Sequence, residues 1–515
     1  MSPAEDRSPI VNPAALEPLF MPWEFPSAHR ERIERKGGPA KIANRRRPSP
    51  ITIANNLRAE VRLFRESNYA GASDTSRELL VHWFETDHTF ISKDVLTVPF
   101  RYYFCQREAI ETLIYLYEVR RIRNLSEITA EFGGRDAERA AMGIDPNEDR
   151  WSKYAFKVAT GAGKTKIMSL AIIWSYFHSV REPESDMARH FVIIAPNLTV
   201  FERLKEDFGD GKIFDADPLI PSAWRNDWHM SVVLQDEAGG VAAGGTIYLT
   251  NIHRLYDPDK KRGSSKGELQ PWVGPEVSKA TALDTGEILR ERITSHKRLI
   301  VLNDEAHHVW DPDSAWNEAI EFLNEQARKR NEVGLVAQLD FSATPKDNQG
   351  NLFKHIVVDT PLGEAVDGGI VKTPIIGRGQ KIIEQTSDNA GVRYQNHLLL
   401  GYKRWLESKK EWEKSGKKAL MFVMCEDTEA ADQIAKELNN NPLYEELNGK
   451  AVNLHTNLKG KVVWKGQGKD RYAVFKESEK EISDEDLAAL RELSRQLDDI
   501  SVHRKRTHAT RRMGR

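Results

Sequence analysis

Three short apolar runs along the chain are each followed at once by a cluster of polar residues. The runs cover residues 154–158, 298–303 and 335–341. Apolar runs of this length are typical of strands that are buried on both faces, as in parallel sheets. A helical pattern follows the first run, from Thr165 to about residue 178. This order of elements predicts an α/β fold in which parallel strands bring the polar clusters to one edge of a sheet.

The cluster after the first run has the composition of a phosphate-binding loop. It consists of Ala159, Thr160, Gly161, Ala162, Gly163, Lys164 and Thr165. The glycines let backbone N–H groups close around phosphate oxygens at the positive end of the following helix. Lys164 would pair with the β- and γ-phosphates of a nucleotide, and the Thr165 hydroxyl would complete a Mg²⁺ shell. The strict pattern has Gly in place of Val158, so the loop is a variant. A flexible glycine-rich turn would explain the glycines but not the Lys-Thr pair.

The second run ends directly before an acidic pair, Asp304 and Glu305. A carboxylate at a strand's carboxyl end can hold hydrated Mg²⁺, which is the predicted role of Asp304. A second carboxylate can orient or deprotonate the attacking water, which is the predicted role of Glu305. Adjacent histidines point in different directions, so packing and hydrogen bonding of His307 near the terminal phosphate is favoured over zinc ligation. Another acidic pair, at residues 236–237, follows only the short run 232–234 and predicts a loop.

The third run ends at Ser342, Ala343 and Thr344. Small hydroxyl residues at that edge could sense the γ-phosphate and pass its loss to a neighbouring domain. Alone, this triplet is an ordinary strand-to-loop turn. Its value lies in its order and spacing relative to the other two clusters.

In this order the three clusters resemble the motifs of superfamily-two helicases and translocases of the DEAH type. In that family a Gln upstream of the phosphate loop reads the adenine edge, and here Gln106 lies in such a segment, residues 100–107. Two further strand ends resemble the motifs that touch the nucleic-acid backbone. They carry Pro196 and Thr199, and Thr250 and Asn251. Residues 419–424, followed by a helical pattern over 427–438, resemble the opening strand and helix of the second motor domain.

A narrower resemblance is to the restriction (Res) subunit of Type III restriction enzymes. It rests on the aromatic-rich segment around Gln106, on the sequence of residues 303–308, and on the stretches 454–457 and 490–497. The resemblance covers about residues 96–499. The resemblance implies a RecA-like P-loop NTPase domain over 96–365 and an incomplete second RecA-like domain over 366–499. Residues 1–95 would form an N-terminal arm and helical extension.

This resemblance implies an ATP-dependent DNA helicase or translocase within a Type III-like restriction endonuclease. The implied ligands are ATP, Mg²⁺ and double-stranded DNA, and the implied partner is a modification methyltransferase. No copy of the Asp-x-n-Glu-x-Lys nuclease pattern is evident in the sequence. Two alternatives stay open: a non-catalytic nucleotide- or DNA-binding remnant, and a helicase unrelated to restriction.

Composition changes this picture little. A chain of 515 residues holds two or three domains, and its net charge of −2 gives no global nucleic-acid signature, so DNA contacts must come from local patches. Candidates are residues 45–47, where a solvated linker is the commoner case, and the polar insertion 257–280. Cys105 and Cys425 predict buried reduced thiols. No apolar run reaches membrane-spanning length and no secretion signal is evident, which favours a cytoplasmic protein.

Coarse patterns organise the N-terminal part. Residues 1–52 are rich in Pro and charge and predict an extended arm. A helical pattern covers residues 57–85, with a cap at about residue 74, and a second helix is predicted from Gln106 to about residue 123. Residues 125–149 predict an insertion before the phosphate-loop strand.

The last segment, residues 500–515, departs from the family pattern. It carries six basic residues and no acid, which taken alone suggests a DNA-binding tail. Read one base later, permitted codons for these residues encode an apolar strand and then Met-Leu-Arg-Glu-Gly-Trp-Asp-Val, which resembles the missing motif. We therefore expect a frameshift near Asp499 or Ile500, which predicts a truncated and weakly active motor.

Overall fold

A computed structural model gives the structure of residues 17–31, 41–91, 97–135, 137–235, 244–255, 279–308, 315–346, 350–373, 384–414, 419–452, 459–465, 472–481 and 501–502. The described residues divide after Thr373 into two compact units. No helix among them has the length and apolar character needed to span a membrane.

The first unit begins with two small hairpins and three helices. These are β1 (His29–Arg30), β2 (Ile42–Ala43), α1 (Thr52–Glu66), α2 (Asp74–Phe84), β3 (His88–Ile91), β4 (Thr97–Phe100) and α3 (Phe104–Ile114). α1 is a helix with one apolar stripe, because its buried residues Ala54, Leu57, Val61 and Phe64 recur every three or four positions. A π-helical turn, Tyr115–Val119, extends α3.

A seven-stranded parallel sheet forms the centre of this unit. In chain order the remaining elements are α4 (Leu125–Phe132), α5 (Ala137–Met142), β5 (Ser152–Val158), α6 (Lys164–Arg181), β6 (His190–Ala195), α7 (Leu198–Phe208), α8 (Lys212–Ala216), β7 (Met230–Leu234), β8 (Gly245–Asn251), α9 (Lys279–Thr294), β9 (Leu299–Asp304), α10 (Ala315–Asn331), β10 (Leu335–Ser342), β11 (Ile356–Thr360) and α11 (Leu362–Asp367). The strand order is β11-β5-β10-β9-β6-β8-β7, and every neighbouring pair is parallel. The predicted α/β fold with a parallel sheet is confirmed.

Both faces of the sheet are buried under helices. Along β9, Ile300 and Leu302 belong to one apolar cluster, whereas Leu299 and Val301 belong to the other. A strand covered on both sides needs apolar residues at every position, which is why the sequence shows unbroken apolar runs here. Because the strands are parallel, the loops after β5, β6, β8, β9 and β10 all leave the same edge of the sheet.

One sequence prediction for this unit differs from the structure, and another lies outside the described residues. The helical pattern over residues 57–85 forms two helices, α1 and α2, because the chain turns through left-handed conformations at Asn68, Tyr69 and Gly71. The run 232–234 lies in an edge strand, β7, which pairs with β8. The acidic pair that follows it, residues 236–237, lies outside the described residues.

The second unit contains α12 (Ala390–Arg393), α13 (Gln395–Glu413), α14 (Thr428–Asn440), β12 (Ala451–Val452), β13 (Lys459–Lys465), β14 (Tyr472–Glu481) and β15 (Ser501–Val502). The predicted helix over 427–438 is α14, capped by the Asp427 side chain. The predicted strand over 419–424 is wrong, because no other strand among the described residues pairs with it. Alternate residues still pack inward, and Phe422 and Met424 are exposed. Residues 454–457, 490–497 and 503–515 lie outside the described residues.

The basic cluster near the N-terminus is held by ion pairs within the first unit. Arg46 donates to Glu108 on α3 at 2.5 and 2.7 Å and to Glu364 on α11 at 2.9 and 3.1 Å. Arg47 pairs with Asp367 at 3.2 Å. Burial opposes the charge on Arg46, but the two carboxylates outweigh it and its pKa lies above the ordinary value. Arg46 and Arg47 therefore tie the N-terminal segment to α3 and α11, which differs from the predicted linker.

Replacing Arg46 should destabilise the first unit. Arg46→Met removes from two buried carboxylates the cation that hydrogen-bonds both, so we expect the free energy of unfolding to fall by roughly 3 kcal/mol. The control is Arg62→Met, since Arg62 forms an exposed pair with Glu66 that contributes little. Denaturant unfolding of both variants measures the difference. Equal stabilities of the two variants would contradict the structural role given to Arg46.

A stacked histidine pair at the start of β6 predicts a loss of stability in acid. The rings of His190 and His296 lie 3.6 Å apart between centroids, and Tyr248 Oη lies 2.8 Å from His296 Nε2. Burial and the neighbouring imidazole lower the pKa of His190 from 6.5 to about 3, and burial lowers that of His296. Below about pH 6.5 the unfolded chain therefore binds protons at these histidines that the folded chain does not bind, which lowers the free energy of unfolding.

Well above about pH 6.5 the protonation of the two histidines should not affect stability. Below that pH it should destabilise the folded chain increasingly as the pH falls. We expect His190→Phe, which keeps the ring, to reduce the stability lost between about pH 7 and pH 5 by about 1 kcal/mol. Urea unfolding of wild type and variant at both pH values measures this. An unchanged pH dependence in His190→Phe would contradict the assignment.

Candidate active site

The segment between β5 and α6 forms a tight loop at the N-terminus of a long helix. Gly161 and Gly163 have φ of 89° and 84°, which favours glycine. A Cβ atom at Gly163 would lie 2.3 Å from Gln106 Nε2, so a side chain at this position would displace the Gln106 amide. The N–H groups of Gly163, Lys164 and Thr165 find no acceptor among the described residues, as expected at a helix start. These groups can therefore bind an anion.

Gln106 supports this loop from α3. Its Nε2 donates to the carbonyl of Ala162 at 3.0 Å, and its Oε1 accepts from the N–H of Tyr103 at 3.0 Å. The Gln106 side chain therefore both caps its own helix and holds the phosphate loop. Its predicted contact with adenine stays a prediction, and the neighbouring Cys105 thiol is buried as expected.

Lys164, Glu305, His307 and Ser342 form a continuous polar chain across the three predicted clusters. Lys164 Nζ donates to Glu305 Oε1 at 2.9 Å, and the Lys164 side chain is only 8% exposed. His307 Nδ1 lies 3.6 Å from Glu305 Oε2 and 3.0 Å from Ser342 Oγ. Ser342 Oγ in turn accepts the N–H of Thr344 at 3.1 Å. Residues far apart in sequence thus meet at one sheet edge.

The two carboxyl groups of this site differ in their environment. Burial disfavours the ionised form of Glu305, but Lys164 and then His307 outweigh it, so its pKa lies below the ordinary value. Burial raises the pKa of Asp304 although Lys164 and Arg203 act against it. Glu305 also has a φ of 53°, an uncommon conformation for a residue with a side chain. Lys164 therefore favours the ionised form of Glu305.

Arg203 is a site residue that the sequence did not point to. It lies on α7, and its Nη2 donates to Asp304 Oδ2. A single Arg in an amphipathic surface helix carries no signal of its own, so only the fold shows this pairing.

A buried polar network behind the site also escaped prediction. Asp340 on β10 accepts hydrogen bonds from Asn303 Nδ2 at 2.7 Å, from Gln338 Nε2 at 3.0 Å and, at its other oxygen, lies 2.9 Å from His355 Nε2. Asn303 directly precedes Asp304, so this bond joins the ends of β9 and β10. Two polar residues, Gln338 and Asp340, interrupt an otherwise apolar run, and this interruption could have indicated the network.

The predicted nucleic-acid residues lie at the ends of β6 and β8. These strands pair so that Ala195 stands opposite Asn251, which places the two motifs side by side. Pro196 is half-buried, and position 199 lies in the first turn of α7. Thr250 and Asn251 are buried, and Asn251 Oδ1 accepts the N–H of His253 at 2.9 Å. The side chains of Thr250 and Asn251 are therefore not exposed at the surface.

The residues present fit a nucleotide phosphate and Mg²⁺. The loop offers free N–H groups and a nearly buried ammonium, which together could bind a phosphate anion. Thr165, the second residue of α6, and Asp304 would supply oxygen ligands, the type that Mg²⁺ prefers.

Comparison with known families agrees with this geometry. Residues 99–347 match the family model described as Type III restriction enzyme, res subunit. The matched segment spans Gln106, the phosphate loop, the acidic pair and Ser342 to Thr344. It is similar to a Res-like helicase-family domain with the RecA-like fold of P-loop ATPases. No curated protein matches the chain significantly.

Proposed function

We propose that this chain binds MgATP at the phosphate loop and hydrolyses it as a DEAH-type motor acting on double-stranded DNA. The observation that carries the proposal is the 2.9 Å pair between Lys164 Nζ and Glu305 Oε1. It brings the phosphate-binding cation and the candidate base to one edge of the sheet, beside Asp304.

Each residue has a distinct role in this proposal. Lys164 and the N–H groups at the start of α6 hold the phosphates. Thr165 and Asp304 hold Mg²⁺, which neutralises charge on the phosphate oxygens. Glu305 orients the attacking water and accepts its proton. His307 and Ser342 connect Glu305 to the end of β10 and pass on the loss of the phosphate.

We also propose the wider setting from the family match. The motor belongs to a Type III-like restriction system, with a modification methyltransferase as its partner. The second unit supplies part of a second RecA-like domain over residues 366–499.

DNA binding in this proposal reads phosphates, not bases. We expect affinity for duplexes of scrambled sequence to be equal and to fall steeply as salt rises, since phosphate contacts release counterions. Fluorescence anisotropy over a salt series, with ATP hydrolysis followed in the same samples, tests the proposal. A salt-independent affinity, or a strong sequence preference, would contradict it.

A further inference from the structure

Each oxygen of the carboxylate proposed to bind Mg²⁺ accepts a hydrogen bond from the chain itself. Asp304 Oδ2 accepts a hydrogen bond from Arg203 Nη2, and Asp304 Oδ1 accepts the N–H of Glu305 at 3.0 Å. The Asp304 side chain is 1% exposed. Of the two donors only Arg203 is a flexible side chain, and it lies against Oδ2, so a Mg²⁺ ion approaching that oxygen meets the guanidinium first.

Arg203 and Mg²⁺ are competitors because both are cations. A guanidinium and a dication next to one carboxylate oxygen repel each other, and Mg²⁺ demands a nearly ideal octahedral set of oxygens. The Arg203 side chain is 39% exposed, so it has room to turn toward solvent. Its Nε atom is buried and has no acceptor among the described residues. An incoming phosphate oxygen would satisfy that atom.

The position of Arg203 connects the metal site to the start of α7. Asn197 caps this helix by accepting the N–H of Val200 at 3.0 Å. Positions 199 and 203 are one turn apart and share a helix face, and long helical side chains lean toward the N-terminus. A nucleic-acid phosphate bound at the proposed contacts, Pro196 and Thr199, would therefore lie within reach of the Arg203 guanidinium.

We propose that Arg203 controls access of Mg²⁺ to Asp304, and that a nucleic-acid phosphate at the start of α7 draws the guanidinium away. This inference rests on the proposed function, because it takes Asp304 as the metal ligand. DNA then favours Mg²⁺ binding, and by linkage Mg²⁺ favours DNA binding to the same extent. Arg203 acts as a positioning residue that couples the two sites without touching the reacting atoms.

The test measures the Mg²⁺ concentration that gives half-maximal binding of a fluorescent ADP, with and without duplex DNA, on the full chain. For wild type, DNA should lower this concentration on the order of tenfold, a usual size of coupling between sites. Arg203→Gln removes the charge and should show the lower concentration without DNA, with no further effect of DNA. The matched control is Lys205→Gln, an exposed cation on the same helix, which should behave as wild type.

The possible outcomes separate this inference from the proposed function. If Arg203→Gln binds ADP but needs as much Mg²⁺ as wild type, the inference is overturned and the nucleotide site stands. If Arg203→Gln needs less Mg²⁺ but DNA has no effect on wild type, the role of nucleic acid is overturned. If wild type binds no nucleotide at any Mg²⁺ concentration, the proposed function fails and the inference fails with it. Thermal unfolding of both variants checks that they are folded.

Discussion

Glu305→Gln is expected to lower the rate of ATP hydrolysis on the order of 10³-fold while nucleotide binding persists. The amide keeps the shape of the side chain but cannot accept a proton from water. Nucleotide affinity should not fall, because the substitution releases Lys164 from its 2.9 Å ion pair with the carboxylate. Steady-state hydrolysis and nucleotide titration on the same preparation measure the two effects separately.

A matched control exists elsewhere in the first unit. Glu332 follows α10 and also has a positive φ, 64°, but it precedes β10 and so lies toward the opposite edge of the sheet. Glu332→Gln should leave hydrolysis unchanged. Persistent turnover in Glu305→Gln, or an equal loss in Glu332→Gln, would contradict the role of Glu305 as the base.

Patterns within a few consecutive residues were enough to predict the central strands of the sheet and the phosphate loop. Each central strand is buried on both faces, so its apolar run is visible without any partner. The phosphate loop is likewise specified within a few residues, because Gly161 and Gly163 adopt conformations that other residues avoid. Strand β7 was missed because an edge strand needs fewer apolar residues and its run is short.

The rest depends on residues that are distant in sequence. Nothing near Arg203 indicates Asp304, and nothing near Arg46 indicates Glu364, yet these pairs form once the strands are in place. The requirement for a pairing neighbour also explains why the strand predicted at residues 419–424 is not found. The alternating pattern is present, but a strand exists only where a neighbour takes its backbone hydrogen bonds.

Lys164→Ala is expected to weaken nucleotide binding by on the order of 10²–10³-fold and to abolish hydrolysis. The Lys164 ammonium is nearly buried at the start of α6, where it can donate to phosphate oxygens without competition from water. Its removal also leaves Glu305, which would repel the phosphates. Lys166→Ala is the control, since Lys166 lies on the same helix but pairs with Asp217.

The most direct test of the nucleotide site is a titration of wild type, Lys164→Ala and Lys166→Ala with fluorescent ATP in the presence of Mg²⁺. We expect saturable binding to wild type, similar affinity for Lys166→Ala and a loss of at least about 100-fold for Lys164→Ala. Equal affinity of wild type and Lys164→Ala for the nucleotide would contradict the site, and with it the proposed motor.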